Sequence, residues 1–416
     1  MVSSKPALVP KKYIVPFVLI TSLFFLWGFS RSILDVLNKH FQDVMELTKT
    51  ESALIQAAVY SAYFLMAVPA GLFITRKGYR SGVVFGLALF AAGAFLFIPG
   101  DTIGSFSLFL GALFVLGCGL AFLETAANPY AATLGDPRTS ASRLNLAQAF
   151  NGMGCIFGPL IFGQILFNQE QTATTGQLAI PYAVMGAIVL IVAVVFTRAK
   201  LPEIKLDDDT PSSYPDNSRP SMRGLWSHPA FIFGLAAIFC YEISEISINS
   251  FFINYVTEIS TTSSATASTL LSICGLGLFF LGRVIGSGVM SVVSAGKVLT
   301  ICAAGTIICM ILVITCHGIP AICALCATYF FESIMFPTIF AMSLKGLGNL
   351  SKLASSFLMM SPIGGAVGTL SMGLVADAAG MSISFLVPLA GYAVVLLFAL
   401  YSLKSAPKSP NKQISK

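Results

Sequence analysis

Charged residues are scarce in this chain. Of its 416 residues only 10% are Asp, Glu, Lys or Arg, whereas 56% are hydrophobic. Soluble globular proteins carry about 25% charge, and disordered chains are poor in apolar residues. The composition therefore excludes a soluble enzyme, a nucleic-acid-binding protein and a disordered chain. A mean hydropathy of +0.84 is typical of a protein built from membrane-spanning helices.

Signatures of cofactor chemistry are also missing. No Gly-Lys-Ser or Gly-Lys-Thr phosphate loop occurs, so the chain carries no ATPase of its own. The three histidines have no partner cluster, and the nine cysteines lie in apolar runs, where we expect them to pack as small apolar side chains. We therefore expect no enzyme activity, no catalytic residues, no metal site and no cofactor.

Twelve apolar runs are long enough to cross a bilayer, which takes about 20 residues per helix. They fall near residues 13–38, 52–74, 82–99, 104–132, 142–166, 180–198, 229–256, 265–291, 296–316, 319–343, 353–376 and 382–403. A polar, proline-rich stretch that cannot bury a core separates the sixth run from the seventh. We predict an all-α membrane protein with an N-terminal six-helix half (1–199), a cytoplasmic linker (200–228) and a C-terminal six-helix half (229–416).

Lysine and arginine orient these helices. With both termini in the cytoplasm, the cytoplasmic side holds 21 of the 24 basic residues, the outer side holds Lys39 and Lys49, and Arg31 alone remains inside the membrane. This asymmetry follows the positive-inside rule and supports an even number of spans. The net charge of +6 therefore reflects helix orientation and not a nucleic-acid patch.

An internal repeat relates the two halves. Glu124 and Pro129 in the fourth run are five residues apart, and Glu332 and Pro337 in the tenth run repeat this spacing 208 residues later. Two six-helix units in the same orientation are the parallel repeat of the major facilitator architecture. Substrate sites of that architecture lie at mid-membrane between the halves, which rock around the site in alternating access.

Charged side chains within a bilayer cost about 2.5–3.5 kcal/mol each and usually face a functional cavity. The predicted helices contain Arg31, Asp35, Glu124, Glu242, Glu245 and Glu332. Desolvation favours the protonated form of a carboxylic acid, which a proton-coupled carrier requires. Asp35 is the best candidate for the proton site. Arg31 lies one helical turn before Asp35 on the same face, so the alternative is a static ion pair.

The other intramembrane acids also have structural alternatives. Glu124 is a candidate proton site whose alternative is a hydrogen bond that packs helices together. Glu242 and Glu245 share a face of the seventh helix, where either can line the cavity. Glu332 is either the repeat-related partner of Glu124 or a gate residue. Asp377, at the outer end of the eleventh helix, is expected to be solvated.

Amide side chains in the fifth helix favour sugar recognition. Gln148 and Asn151 share a face and offer donors and acceptors to hydroxyl groups. Trp27, on the first helix, is a candidate for stacking on a sugar ring, with packing in the protein core as the alternative.

At these residues the chain resembles the fucose–galactose–hexose proton symporter family within the major facilitator superfamily. The motifs that carry the resemblance are Leu123–Pro129 (LETAANP), Arg143–Asn151 (RLNLAQAFN), Ser333–Phe340 (SIMFPTIF) and Trp27-Gly28 followed by Asp35. The resemblance implies symport of a monosaccharide with protons, a hexose, deoxyhexose or sugar derivative, with the proton as coupling ion. We expect a multi-pass monomer in the cell inner membrane whose partners are the sugar, protons and the lipid bilayer.

The resemblance also implies roles for individual residues. Asp35 would be the proton-coupling carboxylate, Glu124 would link proton to sugar, and Gln148 would contact the sugar. Tyr241 and Glu245 match the tyrosine and the acidic position of the family's seventh helix.

One segment departs from the family pattern. Fucose carriers of this family have an Asn-rich stretch before the aspartate, whereas this chain reads Phe29-Ser-Arg-Ser-Ile-Leu34. The amides are gone and Arg31 has appeared. Our hypothesis is that Arg31 either neutralises Asp35 in one state or binds an anionic sugar through a bidentate pair between its guanidinium and the sugar carboxylate.

Two further features leave alternatives open. Gly154-x3-Gly158-Pro159-x3-Gly163 looks like the signature of drug–proton antiporters, which makes a proton-coupled exporter of drugs or metabolites the second candidate. Close packing of small residues would explain the same pattern. The loop Gly71–Arg80 resembles the facilitator motif between helices 2 and 3, and there we expect Arg76 to gate the cytoplasmic side, paired with Arg283 of the second half.

Overall fold

The computed structural model describes residues 9–136, 140–167, 178–199, 222–290, 292–347 and 350–405. Within these ranges the chain is helical and contains no β-strand. The N-terminal half consists of α1 (Ile14–Met45), α2 (Lys49–Ser52), α3 (Leu54–Phe95), α4 (Phe97–Ile103), α5 (Phe106–Thr133), α6 (Ser140–Phe167) and α7 (Ala179–Arg198). A short 3₁₀ turn at Lys11–Tyr13 precedes α1.

The second part of the chain begins inside the predicted linker, whose residues 200–221 lie outside the described ranges. Its helices are α8 (Met222–Leu225), α9 (Pro229–Ile259), α10 (Ser264–Leu270), α11 (Gly277–Met290), α12 (Ala295–Thr315), α13 (Ile319–Glu332), α14 (Met335–Leu344), α15 (Ser351–Leu358), α16 (Ile363–Ala379), α17 (Met381–Ser384) and α18 (Leu386–Ser405). A π-helical segment, Leu271–Leu276, joins α10 to α11.

The helices account for the predicted membrane crossings. Eleven segments of the described chain are long and apolar enough to span a bilayer, and one of them, Lys49–Ile103, has 55 residues. That segment contains two crossings, because Gly78 interrupts α3 with φ +84° and ψ 163°. A side chain at this residue would be strained, so glycine allows the chain to turn back here. The all-α membrane fold is confirmed.

Small residues let the helices of one half approach closely. A Cβ atom on Gly154 would collide with the Phe25 carbonyl oxygen, and one on Gly158 would collide with the Ser32 hydroxyl. Both glycines therefore lie where the backbone of α6 presses on α1, the small-residue packing typical of membrane helices. The packing interpretation explains Gly154-x3-Gly158 without an antiporter role.

The two halves meet mainly at the helix ends that the predicted topology places on the outer side. There α16 packs on α2 and α3, α1 packs on α9, and α6 packs on α10 and the π-helical segment. Gly373 of α16 lies so close to α2 that an added Cβ would approach the Lys49 carbonyl oxygen to 2.9 Å. Most of the charged residues singled out in the sequence lie on α1 and α9, which pack on each other across this interface, and on α5, which packs on α1.

Candidate functional site

Asp35 is buried on α1 and has a neutral partner. Its side chain is 7% exposed, and Gln56 Nε2 donates a hydrogen bond of 3.0 Å to Asp35 Oδ1. Gln56 lies on the outer part of α3, one turn before Tyr60 on the same helix face. A neutral amide donor satisfies a carboxyl oxygen without supplying a compensating cation.

Arg31 is bonded to Tyr60 and not to Asp35. Its Nε donates to the Tyr60 hydroxyl at 3.0 Å, and the guanidinium carbon lies 5.7 Å from the centre of the Tyr60 ring. In the described part of the chain, the salt bridges within 4.0 Å are Lys39–Asp43 and Lys49–Glu258. Arg31 and Asp35 therefore do not form the static ion pair that was the alternative interpretation.

Glu124 and Gln148 belong to one polar group at α5 and α6. Glu124 is half-buried beside the Tyr63 hydroxyl of α3. Gln148 Nε2 donates to Asn128 Oδ1 at 3.3 Å, and Asn128 lies one turn after Glu124 on the same face of α5. The two amides and the acid thus form a half-buried set of donors and acceptors of the kind that hydroxyl groups require.

The second half contributes a matching acidic group. Glu245 of α9 is half-buried and lies within electrostatic range of both Arg31 and Asp35 across the interface. Glu242, one turn earlier, is 3% exposed and its Oε2 has no hydrogen-bond partner in the described structure. Tyr241 is fully buried, and Glu332 accepts a hydrogen bond from the Tyr392 hydroxyl. Acids from both halves therefore converge on Arg31.

Trp27 is packed in the protein core, and Asn151 joins α6 to α1. The Trp27 ring is 3% exposed and lies 4.2 Å from the Phe24 ring, centre to centre. Asn151 Nδ2 donates to the Phe24 carbonyl oxygen at 3.1 Å. In this conformation both side chains are used in packing, which agrees with the alternative interpretation of Trp27. Their contact with a sugar stays a prediction.

The pairing of Arg283 with Arg76 in a cytoplasmic gate stays a prediction, and the structure places Arg283 within the apolar helical segment Ser264–Met290. Its Nε donates to the Ser333 carbonyl oxygen at 3.2 Å, and its guanidinium lies 4.6 Å from the Phe279 ring centre. In a regular helix the N–H of residue 337 would donate to the Ser333 carbonyl oxygen, but Pro337 has no N–H. Arg283 thus satisfies the carbonyl that the proline leaves open, and Arg76 is exposed at the Gly78 turn.

Asp377 is exposed, as the sequence suggested, and it also forms hydrogen bonds to the other half. Its carboxylate accepts hydrogen bonds from Lys49 N at 3.0 Å, from Thr50 N at 2.9 Å and from Thr50 Oγ1 at 2.6 Å. These bonds join α16 of the C-terminal half to the start of α2 in the N-terminal half. Backbone N–H groups at a helix start favour an anion.

Further polar contacts close the outer side between the halves. Asn38 Nδ2 donates to the Ser250 carbonyl oxygen at 2.6 Å, and Asn254 donates to Gln42. Ser268 Oγ donates to the Pro159 carbonyl oxygen at 2.8 Å, and Lys49 pairs with Glu258 at 2.7 Å. The hydrogen bonds found between described residues of the two halves lie at outer helix ends. With the predicted topology, in which both termini are cytoplasmic, this arrangement corresponds to an outward-closed state of an alternating-access cycle.

Sequence reasoning missed the uncharged members of the site. Gln56, Tyr60 and Tyr63 follow one another at intervals of four and three residues, which places them on one face of α3. Tyr392 contributes the hydroxyl that bonds Glu332. A search for charged residues passes over phenols and amides, but the i, i+4, i+7 polar stripe in an otherwise apolar helix was a usable signal.

Comparison with known proteins identifies the family of the chain. The protein-family model of the Major Facilitator Superfamily matches residues 20–348 of the sequence. A glucose/galactose transporter of Brucella abortus biovar 1 (strain 9-941) is 35% identical over 401 residues, covering 95% of this chain and 96% of that protein. An L-fucose-proton symporter of Escherichia coli (strain K12) is 36% identical over 428 residues, covering 95% of each.

Solved structures resemble the fold over nearly its whole length. A crystal structure of the E. coli fucose:proton symporter superposes with a TM-score of 0.69 at 33% identity, covering 94% of this chain and 99% of that one. An inward-open xylose transporter from E. coli gives a TM-score of 0.73 at 13% identity, covering 96% and 97%. At that low identity the second likeness concerns the fold alone.

Proposed function

The chain belongs to the Major Facilitator Superfamily, a family of transporters, and we propose that it carries a monosaccharide into the cell together with protons. The named relatives at 35–36% identity are a glucose/galactose transporter and an L-fucose-proton symporter. These names support uptake of a hexose or deoxyhexose and speak against the alternative of a drug exporter. The packing role of Gly154 and Gly158 removes the sequence feature that favoured export.

The observation that carries the proposal is the group of acids at the meeting point of the halves. Asp35 from one half and Glu245 from the other lie in electrostatic range of Arg31, and Asp35 has only a neutral hydrogen-bond partner within the described chain. A buried carboxyl group without an ion-pair partner is stable when it is protonated and loses its proton when water reaches it. Rocking of the two halves changes that access to water.

The proton path that we propose uses two carboxyl groups of the N-terminal half. Asp35 takes up the proton, and Glu124 links proton binding to the sugar, because it shares one helix face with Asn128 near Gln148. Sugar hydroxyl groups exchange hydrogen bonds with these amides and with the acid. No cofactor takes part in this scheme besides the proton.

The substrate class depends on Arg31. Its Nε is bonded to Tyr60, while no partner within the described residues is found for the two terminal nitrogens of its guanidinium. These nitrogens have the fork geometry that binds a carboxylate. We propose that the cavity accepts a neutral sugar. Because these nitrogens can bind a carboxylate, an anionic sugar bound by Arg31 is the alternative substrate.

The cellular setting is part of the proposal. Helices of this number and apolarity belong to a multi-pass membrane protein. We propose that it works as a monomer in the cell inner membrane with both termini in the cytoplasm, as the distribution of lysine and arginine favours.

Uptake in proteoliposomes tests the proposed function. Labelled D-glucose, D-galactose and L-fucose are offered with an acidic exterior, with and without a protonophore. We expect accumulation of at least one sugar that the protonophore abolishes. Efflux driven by an inward proton gradient would instead establish the exporter, and lack of transport of all three sugars would refute hexose uptake.

The role of Arg31 is tested by competition in the same assay. Hexoses and hexuronic acids compete with the labelled sugar in wild type and in Arg31→Ala, with Arg198→Ala as a control at the cytoplasmic end of α7. If Arg31→Ala leaves the affinity for every competitor unchanged, the recognition role is wrong.

A further inference from the structure

Glu332 lies in a polar cluster that the proposed function does not use. Its side chain has no exposed surface, and the Tyr392 hydroxyl of α18 donates a hydrogen bond to its Oε2. Tyr241 of α9 and Tyr329 of α13 place two further phenol groups within electrostatic range. We call Glu332 and these three tyrosines the tyrosine cage.

Among the described residues no cation forms a salt bridge with Glu332; Arg283 of α11 lies within electrostatic range of Tyr241 and is bonded to the neighbouring Ser333 carbonyl oxygen. The groups that face Glu332 from the helices packed around it are Glu245 and Tyr241 of α9, Cys309 of α12, Tyr329 of α13 and Tyr392 of α18. All of them are acids or weak acids. A fully buried carboxylate without a cation is strongly destabilised, so the side chain is stable only in its protonated form.

Hydrogen bonding in the tyrosine cage also favours a proton. Within the described structure, Glu332 Oε1, Tyr241 Oη and Tyr329 Oη are buried and have no hydrogen-bond partner. Buried polar atoms are rarely left in this way. A proton on Oε1 converts that oxygen from an acceptor into a donor, which can serve a phenol oxygen.

The main chain next to Glu332 is interrupted. Residues 333–334 separate α13 from α14, and Arg283 holds the carbonyl group of Ser333 that Pro337 leaves without an N–H. Discontinuous helices near the interface of the halves are where transporters of this architecture change shape around bound ions. A group at such a break can be exposed to water in another state of the cycle.

We propose that Glu332 is a second proton-carrying carboxyl group, in the C-terminal half, so that two protons accompany each sugar. This inference rests on the proposed function. With the outer side open, Glu332 Oε1 takes a proton from outer water. With the inner side open and the sugar released, the O–H bond of Glu332 breaks and the proton passes to cytoplasmic water.

Steady-state accumulation measures the number of protons. Proteoliposomes with the membrane potential set to zero by potassium and valinomycin receive labelled D-galactose or L-fucose under a gradient of one pH unit. Each coupled proton multiplies the steady-state ratio of internal to external sugar by ten per pH unit. We expect about 100-fold accumulation by wild type and about 10-fold by Glu332→Gln, which mimics the protonated form and keeps sugar exchange at zero gradient.

Asp101→Asn is the matched control, because Asp101 is also a buried acid, 6% exposed, but bonds the Ala179 N–H at the outer end of α7. It should accumulate sugar about 100-fold, like wild type. Tenfold accumulation by wild type, undiminished accumulation by Glu332→Gln, or an equal loss in Asp101→Asn overturns the second proton site. Wild type alone decides the count if Glu332→Gln does not fold. Absence of hexose transport by wild type refutes the proposed function and removes this inference with it.

Discussion

Asp377 is the residue whose replacement should open the outer side. Its carboxylate accepts three hydrogen bonds from Lys49 and Thr50 of the other half. Asp377→Asn keeps the shape but replaces one oxygen with an NH₂ group, which cannot accept from the Thr50 N–H. The Thr50 hydroxyl can instead accept from this NH₂ group, so the substitution removes the bond from the Thr50 N–H and the negative charge that strengthens the others, at a cost of about 1 kcal/mol. The equilibrium should therefore shift roughly fivefold toward the outward-open state.

Hydrogen–deuterium exchange measures this shift directly, because exchange of protected amides reports the population of open states. We expect roughly fivefold faster exchange at α2 and at the outer end of α9 in Asp377→Asn. Asp43→Asn is the matched control, since the Lys39–Asp43 pair is exposed and lies within one half. Unchanged exchange in Asp377→Asn, or the same acceleration in Asp43→Asn, would show that this contact does not close the outer side.

Three other substitutions test the site and its support. Asp35→Asn should lower accumulation under one pH unit from about 100-fold to about 10-fold, because one of the two coupled protons is lost, while sugar exchange at zero gradient persists; accumulation equal to that of wild type would remove Asp35 from proton coupling. Gly158→Ala should lower the free energy of unfolding in detergent by about 1–3 kcal/mol through overpacking. Gly111→Ala, where an added Cβ meets nothing within 4 Å, should leave it unchanged. Equal effects of the two substitutions would contradict close packing. Arg283→Ala should lower stability by about 1–3 kcal/mol, because the Ser333 carbonyl loses its donor, and an unchanged melting temperature would contradict that role.

Local sequence predicted the membrane class, the helices and most of the acidic site. A helix that crosses lipid needs a long apolar run, and each run is visible without knowledge of its neighbours. A charge within such a run is costly unless the fold surrounds it with polar groups. For this reason Asp35, Glu124 and Glu245 stand out in the sequence, and the structure brings them to the interface of the halves.

The depth and partner of a side chain were harder to predict. Arg283 was aligned with Arg76 by its repeat offset, which relates positions along the chain but does not measure depth in the membrane. Its position within α11 depends on the carbonyl that Pro337 leaves open in another helix. Asp377 is bonded by amides more than 300 residues away in the chain, and no local pattern announces them.

The sequence by itself determined that this is a twelve-span membrane protein with rare buried charges, because apolar length and the cost of burying charge are local properties. Only the tertiary structure decided which groups those charges meet. It joined Arg31 to Tyr60 and Asp35 to Gln56, and it left Glu332 among tyrosines. Hydrogen bonds act over about 3 Å, so their partners follow from how the helices pack and not from the order of the residues.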